Sequence, residues 1–431
     1  MNASSDVPAG TGSLVTDETG PASPPTTPTT RSMRARNRRQ VLDLLREHGV
    51  LSQADIARKT GLSRTTISTV VAELRDLGLI VEAETGRPGT AQSGRPPVLI
   101  SIDDSVGSAV GIDFGLEHIR VAVANLSHTV LAERSRELDV RRDAAACLEL
   151  AATLVDEVLA EAAVDRARVI GVGMGLPGPI DRGRGMIAST SMLPGWRGVR
   201  AADEMSDRLG LPVEVDNDAN LAALAELLWG AAQGCGHVVY VKAATGIGCG
   251  VIVDGHIDRG ARGIAGEIGH TVVDESGLVC YCGSRGCLET IVGAPAIVDL
   301  LRRSHGEHLT LPAVLALAAQ GDAGCQRALA DAGHVLGGAV ANVCTVLNPE
   351  RVVVGGTLSL GGELVLRPLR EAIQRATGQF TTEVAEVVPG VLGDRASLLG
   401  ALALVLLEAN THFSWRLDAS LQRPAAAPGG D

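Results

Sequence analysis

Gly266-Glu-Ile-Gly-His270, followed by Cys280-Tyr-Cys-Gly-Ser-Arg-Gly-Cys287 and then Leu288-Glu289, is the stretch on which the reading of this chain turns. Three thiols fall within eight residues, the glycines let the loop fold back on itself, and His270 lies ten residues upstream of Cys280. Three Cys and one His make a closed tetrahedral set for Zn2+, the stoichiometry of a structural site. Tyr281, Ser284 and Arg285, interleaved with glycine, would make a poor core segment. His270, Cys280, Cys282 and Cys287 are therefore read as zinc ligands rather than as reduced core cysteines. A zinc-dependent hydrolase is disfavoured, because no ligand position is left open. Eight cysteines in 431 residues do not make a disulfide scaffold.

The rest of the composition bounds the class. A chain of 431 residues with 45% hydrophobic content can build two or three domains, and with only 2% aromatics the cores must come from Ala, Val, Leu and Ile. The longest apolar stretch, Leu398 to Leu407, is shorter than the ~20 residues that span a bilayer. The N-terminus lacks the apolar segment of a secretory signal. A cytoplasmic protein with no membrane contact is expected. Residues 1–32, with Pro21-Ala-Ser-Pro-Pro-Thr-Thr-Pro, are read as a disordered leader, and 413–431 as a frayed tail.

The net charge of -12 is unevenly spread. Residues 31–100 carry 12 Lys+Arg against 7 Asp+Glu, while the remainder is acidic. A basic segment on an acidic body points to an anion-binding module, with nucleic acid as the anion. Val41, Leu42, Leu44 and Leu45 form the stripe of one amphipathic helix, Arg38 to His48. Ser52 caps a second, Gln53 to Lys59; Gly61 breaks the chain; Ser63 caps a third, Arg64 to Leu77. The third helix is expected to bury Ile67, Val70, Val71, Leu74 and Leu77 and to expose a polar face. Two short helices about a tight glycine turn make a helix-turn-helix, and Leu79-Ile80-Val81 with Val98-Leu99-Ile100 can pair as a wing. Residues 33–102 are thus read as a winged helix-turn-helix that binds a double-stranded DNA operator. Arg64, Thr65, Ser68 and Thr69 are the candidates for the recognition face, Arg36, Arg38 and Arg39 for phosphates, and Arg95 for a narrow minor groove.

Beyond the wing, strands and helices alternate, including Ala109–Ala124, Val169–Gly173, Val238–Val253 and Arg351–Gly355, which argues for an α/β body. Gly173-Met-Gly-Leu-Pro-Gly178 formally matches a dinucleotide fingerprint, but Pro177 and Pro179 do not open a helix. The opening stretch, together with Asp216-Asn-Asp-Ala-Asn220 and Leu347-Asn-Pro-Glu-Arg-Val-Val-Val-Gly-Gly356, resembles the motifs of the ROK family, which comprises sugar kinases and sugar-responsive repressors. The resemblance spans roughly residues 38–410. It implies an α/β fold in which the winged helix-turn-helix precedes a two-domain actin-like body, with lobes at 106–220 and 221–395 and a helix at 396–412 returning to the first lobe. It also implies a sugar cleft in which Asn217, Asp218, Glu267, His270 and Glu289 bond hydroxyls, and a homodimer or tetramer. In a kinase, Asp218 would take the proton of the attacking hydroxyl. Read from the residues alone, Asp218 is equally a capping carboxylate ahead of the helix Leu221–Leu228.

The nucleotide side departs from the kinase pattern. In Gly111-Ile-Asp-Phe-Gly-Leu-Glu-His, Asp113 and Gly115 remain, but Leu116 and Glu117 stand where the kinases have Gly and Thr. A carboxylate ~4 Å from a phosphate charge costs ~4 kcal/mol at an effective dielectric of ~20. The second hairpin, Ala244-Thr245-Gly246-Ile-Gly248, is nearer the pattern. Ala244, Thr357 and Met192 are further departures from the family. Binding of ATP with Mg2+ at Asp113, Gly115, Thr245, Gly246 and Gly248 is disfavoured, and both hairpins are read as turns kept by the fold. The expectation is a transcriptional repressor of carbohydrate genes that senses a sugar or sugar phosphate. The competing reading is an ATP-dependent sugar kinase of the glucokinase type.

Overall fold

The computed structural model describes residues 30–83, 98–188, 192–378 and 384–407. Arg95, most of the leader and the tail lie outside the described residues.

The N-terminal module comprises α1 (Thr30–His48), β1 (Leu51–Ser52), α2 (Gln53–Thr60), α3 (Arg64–Asp76), β2 (Ile80–Ala83) and β3 (Leu99–Ile102). α1 begins inside the segment read as leader, because Arg31 to Arg39 holds helix formers and no breaker. The Ser52 side chain accepts from the Asp55 amide and that of Ser63 from the Thr66 amide, so both expected caps are in place. Gly61 ends α2 at φ 71°, where a side chain would be strained. β2 and β3 pair antiparallel, Ile80 opposite Ile102, and β1 adds a third strand on β3 that the sequence pattern does not reveal.

The first lobe contains β4 (Ser108–Phe114), β5 (His118–Asn125), β6 (Val130–Glu137), α4 (Ala144–Glu161), β7 (Val169–Leu176), the short pair β8 (Ile180–Asp181) and β9 (Met186–Ile187), α5 (Ala201–Leu209) and β10 (Val213–Asn217). Its main sheet runs β10-β7-β4-β5-β6. After α6 (Asp218–Trp229), the second lobe contains β11 (Val238–Ala243), β12 (Ile247–Val253), β13 (His256–Asp258), α7 (Glu289–Val292), α8 (Ala294–His305), α9 (Leu311–Ala319), α10 (Ala323–Leu347), β14 (Arg351–Gly355), α11 (Glu363–Thr377) and β15 (Glu386–Pro389). Its sheet runs β13-β12-β11-β14-β15, with the same succession of two antiparallel and two parallel pairings. α10 is long and apolar enough to cross a membrane, yet its buried face belongs to the second lobe's core.

Each lobe is closed by the helix that follows its neighbour's last strand. In β4 and β7, Val110, Ile112, Val172 and Met174 face the α4 side, while Gly111 and Gly173 face the helix α12 (396–407). A Cβ on Gly173 would stand 1.9 Å from the Ala401 carbonyl oxygen, so glycine is what lets α12 lie flat on the sheet. This close approach, not nucleotide binding, explains the apparent fingerprint. On the second lobe, Ala222 and Ala223 of α6 pack with Val238, Tyr240 and Ile252. α6 and α12 meet where Leu221 touches Ala401 and Leu404.

The N-terminal module is not a separate bead. Its core of Val41, Leu45, Ile56, Ile67, Leu74 and Ile100 continues into Ala109, Ala122, Ala124, Leu398 and Leu402 of the first lobe and α12. The Arg46 Nε also donates to the Leu126 carbonyl at 3.2 Å.

Candidate functional site

α3 buries Ile67, Val70, Val71 and Leu74 and leaves Arg64, Thr65, Ser68 and Thr69 exposed along its outer face; Leu77 is half-buried. Of the three arginines on α1, Arg36 is exposed. Arg38 pairs with Glu73 at 3.7 Å and ties α1 to α3. Arg39, 3.8 Å from Asp43, lines a cavity between α1 and the body. Arg38 is thus engaged within the protein, while Arg39 stays exposed beside its own-helix partner.

The Cys-rich loop brings its four expected ligands together. Tetrahedral zinc with bonds of about 2.3 Å to sulfur and about 2.05 Å to nitrogen sets S···S edges near about 3.8 Å and S···N edges near about 3.6 Å. The Cys282 and Cys287 sulfurs are 3.7 Å apart, and the Cys280 sulfur is 3.6 Å from His270 Nδ1. The donor set is that of a zinc site, with all four ligand atoms within 4.8 Å of one another. The other ring nitrogen, Nε2, faces Tyr281 Oη at 3.3 Å and Glu267 at 4.0 Å, on the cleft side. A metal on Nδ1 leaves the proton on Nε2, so it fixes the tautomer presented to the cleft.

That cleft, of 410 Å³, lies between the lobes and contains Asn217, Asp218, Glu267, His270 and Glu289 together. β10 runs directly into α6, and Asn217, not Asp218, caps the helix: its Oδ1 accepts from the amides of Ala219 and Asn220 while Nδ2 donates to the Gly178 carbonyl at 2.9 Å. The capping role offered for Asp218 is corrected accordingly, because the carboxylate points away from the helix axis to Lys242 Nζ at 2.7 Å. Burial works against charge on Lys242, but Asp218 and Asp113 outweigh it and hold the ammonium above its usual range. Lys242 also donates to Ser397 Oγ, which in turn bonds the Asp218 carbonyl, so β11, α6 and α12 converge here. Glu289 accepts from the Ile247 amide at 2.9 Å and anchors the second hairpin. Burial, then the charges of Asp218 and Glu289, raises Glu267 to about 7. Asp216, 1% exposed, is a structural member of its motif, since Arg259 Nε donates to it at 2.7 Å.

The first hairpin, between β4 and β5, is filled by this chain's own side chain. The His118 ring covers Gly115, where a Cβ would lie within 2.2 Å of it, and Nε2 bonds Asp113 Oδ2 at 3.2 Å. Glu117 is exposed at the cleft mouth. Arg120 bridges the same mouth to Asp394 from across the lobes. A polyphosphate approaching Gly115 would meet an imidazole ring and a carboxylate instead of free backbone N–H groups.

The ROK family model matches residues 109–408, and a winged helix-turn-helix DNA-binding model matches 34–81. The chain belongs to the ROK family. A xylose repressor of Caldicellulosiruptor bescii is 30% identical over 385 residues, covering 86% of this chain and 95% of that protein. A glucokinase of Thermotoga maritima is 33% identical over 320 residues, covering 69% of this chain and 96% of that enzyme, so the kinase likeness stops short of the DNA-binding module. The crystal structure of a ROK family transcriptional regulator, a homolog of the E. coli MLC protein, shares the fold over 89% of this chain and 98% of its own, at a TM-score of 0.71 and 24% identity. Both halves of this ROK protein, the winged module and the two-lobed body, are therefore those the motifs implied.

Sequence reasoning missed Lys242, Tyr281, His118 and Arg259. His118 carried a signal, since it directly follows the two substituted hairpin residues. Lys242 carried none, because a lone lysine on an apolar strand acquires meaning only from the Asp218 carboxylate opposite it.

Proposed function

We propose that this ROK protein is a transcriptional repressor that releases or retains its operator according to whether a neutral sugar occupies the cleft. The carrying observation is that a DNA-binding module shares one hydrophobic core with a sugar cleft whose phosphate hairpin is capped by His118. Asp218, Glu267 and Glu289 supply acceptors for hydroxyls, while Lys242, Asn217 Nδ2 and His270 Nε2 supply donors. Buried polar groups arranged in this way discriminate well, because a wrong hydroxyl leaves one of them unpaired. The cleft lining carries the carboxylates of Glu117, Asp218, Glu267, Glu289 and Asp394 against the cations of Arg120 and Lys242, an acidic excess that favours an uncharged sugar over its phosphate even with Glu267 partly protonated. The xylose and glucose names of the relatives put those two sugars first among candidates.

Zinc, held by His270, Cys280, Cys282 and Cys287, would rigidify the loop and fix the His270 tautomer. Glu267 and Tyr281 are then presented to the sugar from the same loop. Asp218 accepts from Lys242 Nζ at 2.7 Å, a contact that suits a group holding a hydroxyl in place. On the DNA, Arg64, Thr65, Ser68 and Thr69 read bases and Arg36 meets phosphate. A dimer or tetramer would place two winged modules on half-sites separated by ~34 Å or a multiple of it.

α6 couples the two ends. Its first residue holds the cleft and its last, Trp229, stands edge-on to the His128 ring at 5.2 Å and 77°. His128 sits in the β5–β6 turn at φ 64°, two residues beyond the carbonyl that receives Arg46 of α1. Twelve residues at ~1.5 Å each carry a displacement ~18 Å from sugar to DNA module. A cavity of 640 Å³ among Arg39, Arg46, Trp229 and Leu402 gives that shift somewhere to go. A sugar shifts the equilibrium only by its differential affinity for the two lobe arrangements.

The test is fluorescence anisotropy on DNA from the protein's own upstream region, titrated with a panel of sugars and sugar phosphates, each with and without Mg-ATP. A change in operator affinity with a neutral sugar alone supports the reading. A response that requires ATP moves the sugar-kinase reading into first place.

A further inference from the structure

Outside the cleft and the Cys-rich loop, a second group of ligand atoms converges in the second lobe: His305 on the last turn of α8, Asp322 as the N-cap of α10, and Cys325 three residues into α10. His305 Nε2 is 3.1 Å from Asp322 Oδ2 and 3.8 Å from Cys325 Sγ, and the three ligand atoms all lie within 4.8 Å of one another.

The contacts of the His305 ring make this more than a capped helix. Ser304 Oγ lies 2.8 Å from His305 Nδ1, and the Leu301 carbonyl lies 3.4 Å from the same nitrogen, so this side of the ring is engaged by α8 itself. That leaves Nε2 as the nitrogen that faces the Asp322 carboxylate and the Cys325 sulfur. Nδ1 bonded to a neighbouring oxygen, with Nε2 aimed at the ion, is also how a metal-bound histidine is oriented.

We propose that His305, Asp322 and Cys325 form a second zinc site, distinct from the Cys-rich loop. Tetrahedral geometry asks for N···O and S···N edges of about 3.4 Å and about 3.6 Å, so the ligands need move by only a few tenths of an ångström. A thiolate and an imidazole select a borderline-soft divalent ion over Mg2+ or Ca2+. The Asp322 side chain is 34% exposed, so the fourth position opens to solvent and takes water. The ion would pin the end of α8 to the start of α10 and close the intervening segment that carries α9. α9 packs on the 357–361 turn, and Thr357 of that turn lines the sugar cleft.

The experiment is zinc stoichiometry on the full chain, equilibrated with excess Zn2+ and freed of loose metal, for the wild type, Cys325→Ser and Asp322→Asn. Asparagine still caps α10 but removes the charged ligand, and circular dichroism checks that each variant is folded. The expected result is the loss of one zinc per chain in both variants, and Cys282→Ser should leave that zinc in place. Zinc content unchanged by both substitutions overturns the proposal and leaves the cluster to an imidazolium–carboxylate pair.

Discussion

His128 makes the junction between body and DNA module measurable through pH. Burial first, and the Arg46 charge second, lower its pKa to about 3 from an ordinary value near 6.5. Between those values the unfolded chain carries a proton that the folded one refuses. Stability from the neutral ring is therefore fully present above pH 6.5 and is lost as the pH falls below it. From those two values the cost is about 0.1 kcal/mol at pH 7.5, about 1.4 at pH 5.5 and about 2.7 at pH 4.5, as ceilings for a half-buried ring. His128→Asn removes the titration and tolerates the positive φ. Urea denaturation of both proteins at pH 7.5 and 5.5, followed by tryptophan fluorescence, should show the wild type losing up to about 1.4 kcal/mol more than the variant, a tenfold change in the unfolding equilibrium. Zinc release and every other titration common to the two proteins cancel in this double difference. Identical pH dependence in wild type and variant would refute the buried neutral ring, and with it the account of how α6 meets the β5–β6 turn.

Trp229→Ala removes the edge contact between α6 and His128, worth about 0.5–1.5 kcal/mol, and should cut the sugar-induced change in operator affinity severalfold while sugar binding by calorimetry stays near wild type; an undiminished response would place the coupling elsewhere. Combining Leu116→Gly, Glu117→Thr and His118→Ala should open the first hairpin and produce calorimetric Mg-ATP binding, and continued silence would show that the hairpin is blocked for another reason. Arg64→Ala should cost roughly 1–3 kcal/mol on the cognate operator and relax its sequence preference, whereas a uniform loss on all sequences would make Arg64 a phosphate contact. Chelation of the Cys-rich site should lower the melting temperature and weaken sugar affinity through His270, and a metal-free protein with an unchanged melting curve would remove the structural zinc.

The winged module shows how far local signals reach. Ser52, Ser63 and Gly61 act on backbone groups within a few residues, so the helix limits they set appear in the sequence almost as they appear in the fold. α1 is the exception at its start, where an uninterrupted run of helix formers carries it to Thr30 with no breaker to mark the end. The cluster of His270 with Cys280, Cys282 and Cys287 was legible for the same reason, since all but His270 lie within one short loop and glycine spacing announces the turn.

Roles that depend on which end of a residue is already engaged could not be read in this way. Asn217 and Asp218 are adjacent and chemically alike, and only the path of β10 into α6 decides that the first caps the helix and the second meets Lys242. Arg38 sits in a basic run that reads as DNA-binding, and only the packing of α1 on α3 turns it to Glu73. The sequence by itself determined the two modules, the His and Cys cluster and the polar groups of the cleft, because motif spacing and periodicity are properties of neighbouring residues. The tertiary structure alone decided that His118 closes the first hairpin, that α6 runs from the cleft to the β5–β6 turn, and that His305 meets Cys325. Each of those depends on long-range packing, which brings together groups that no local pattern along the chain connects.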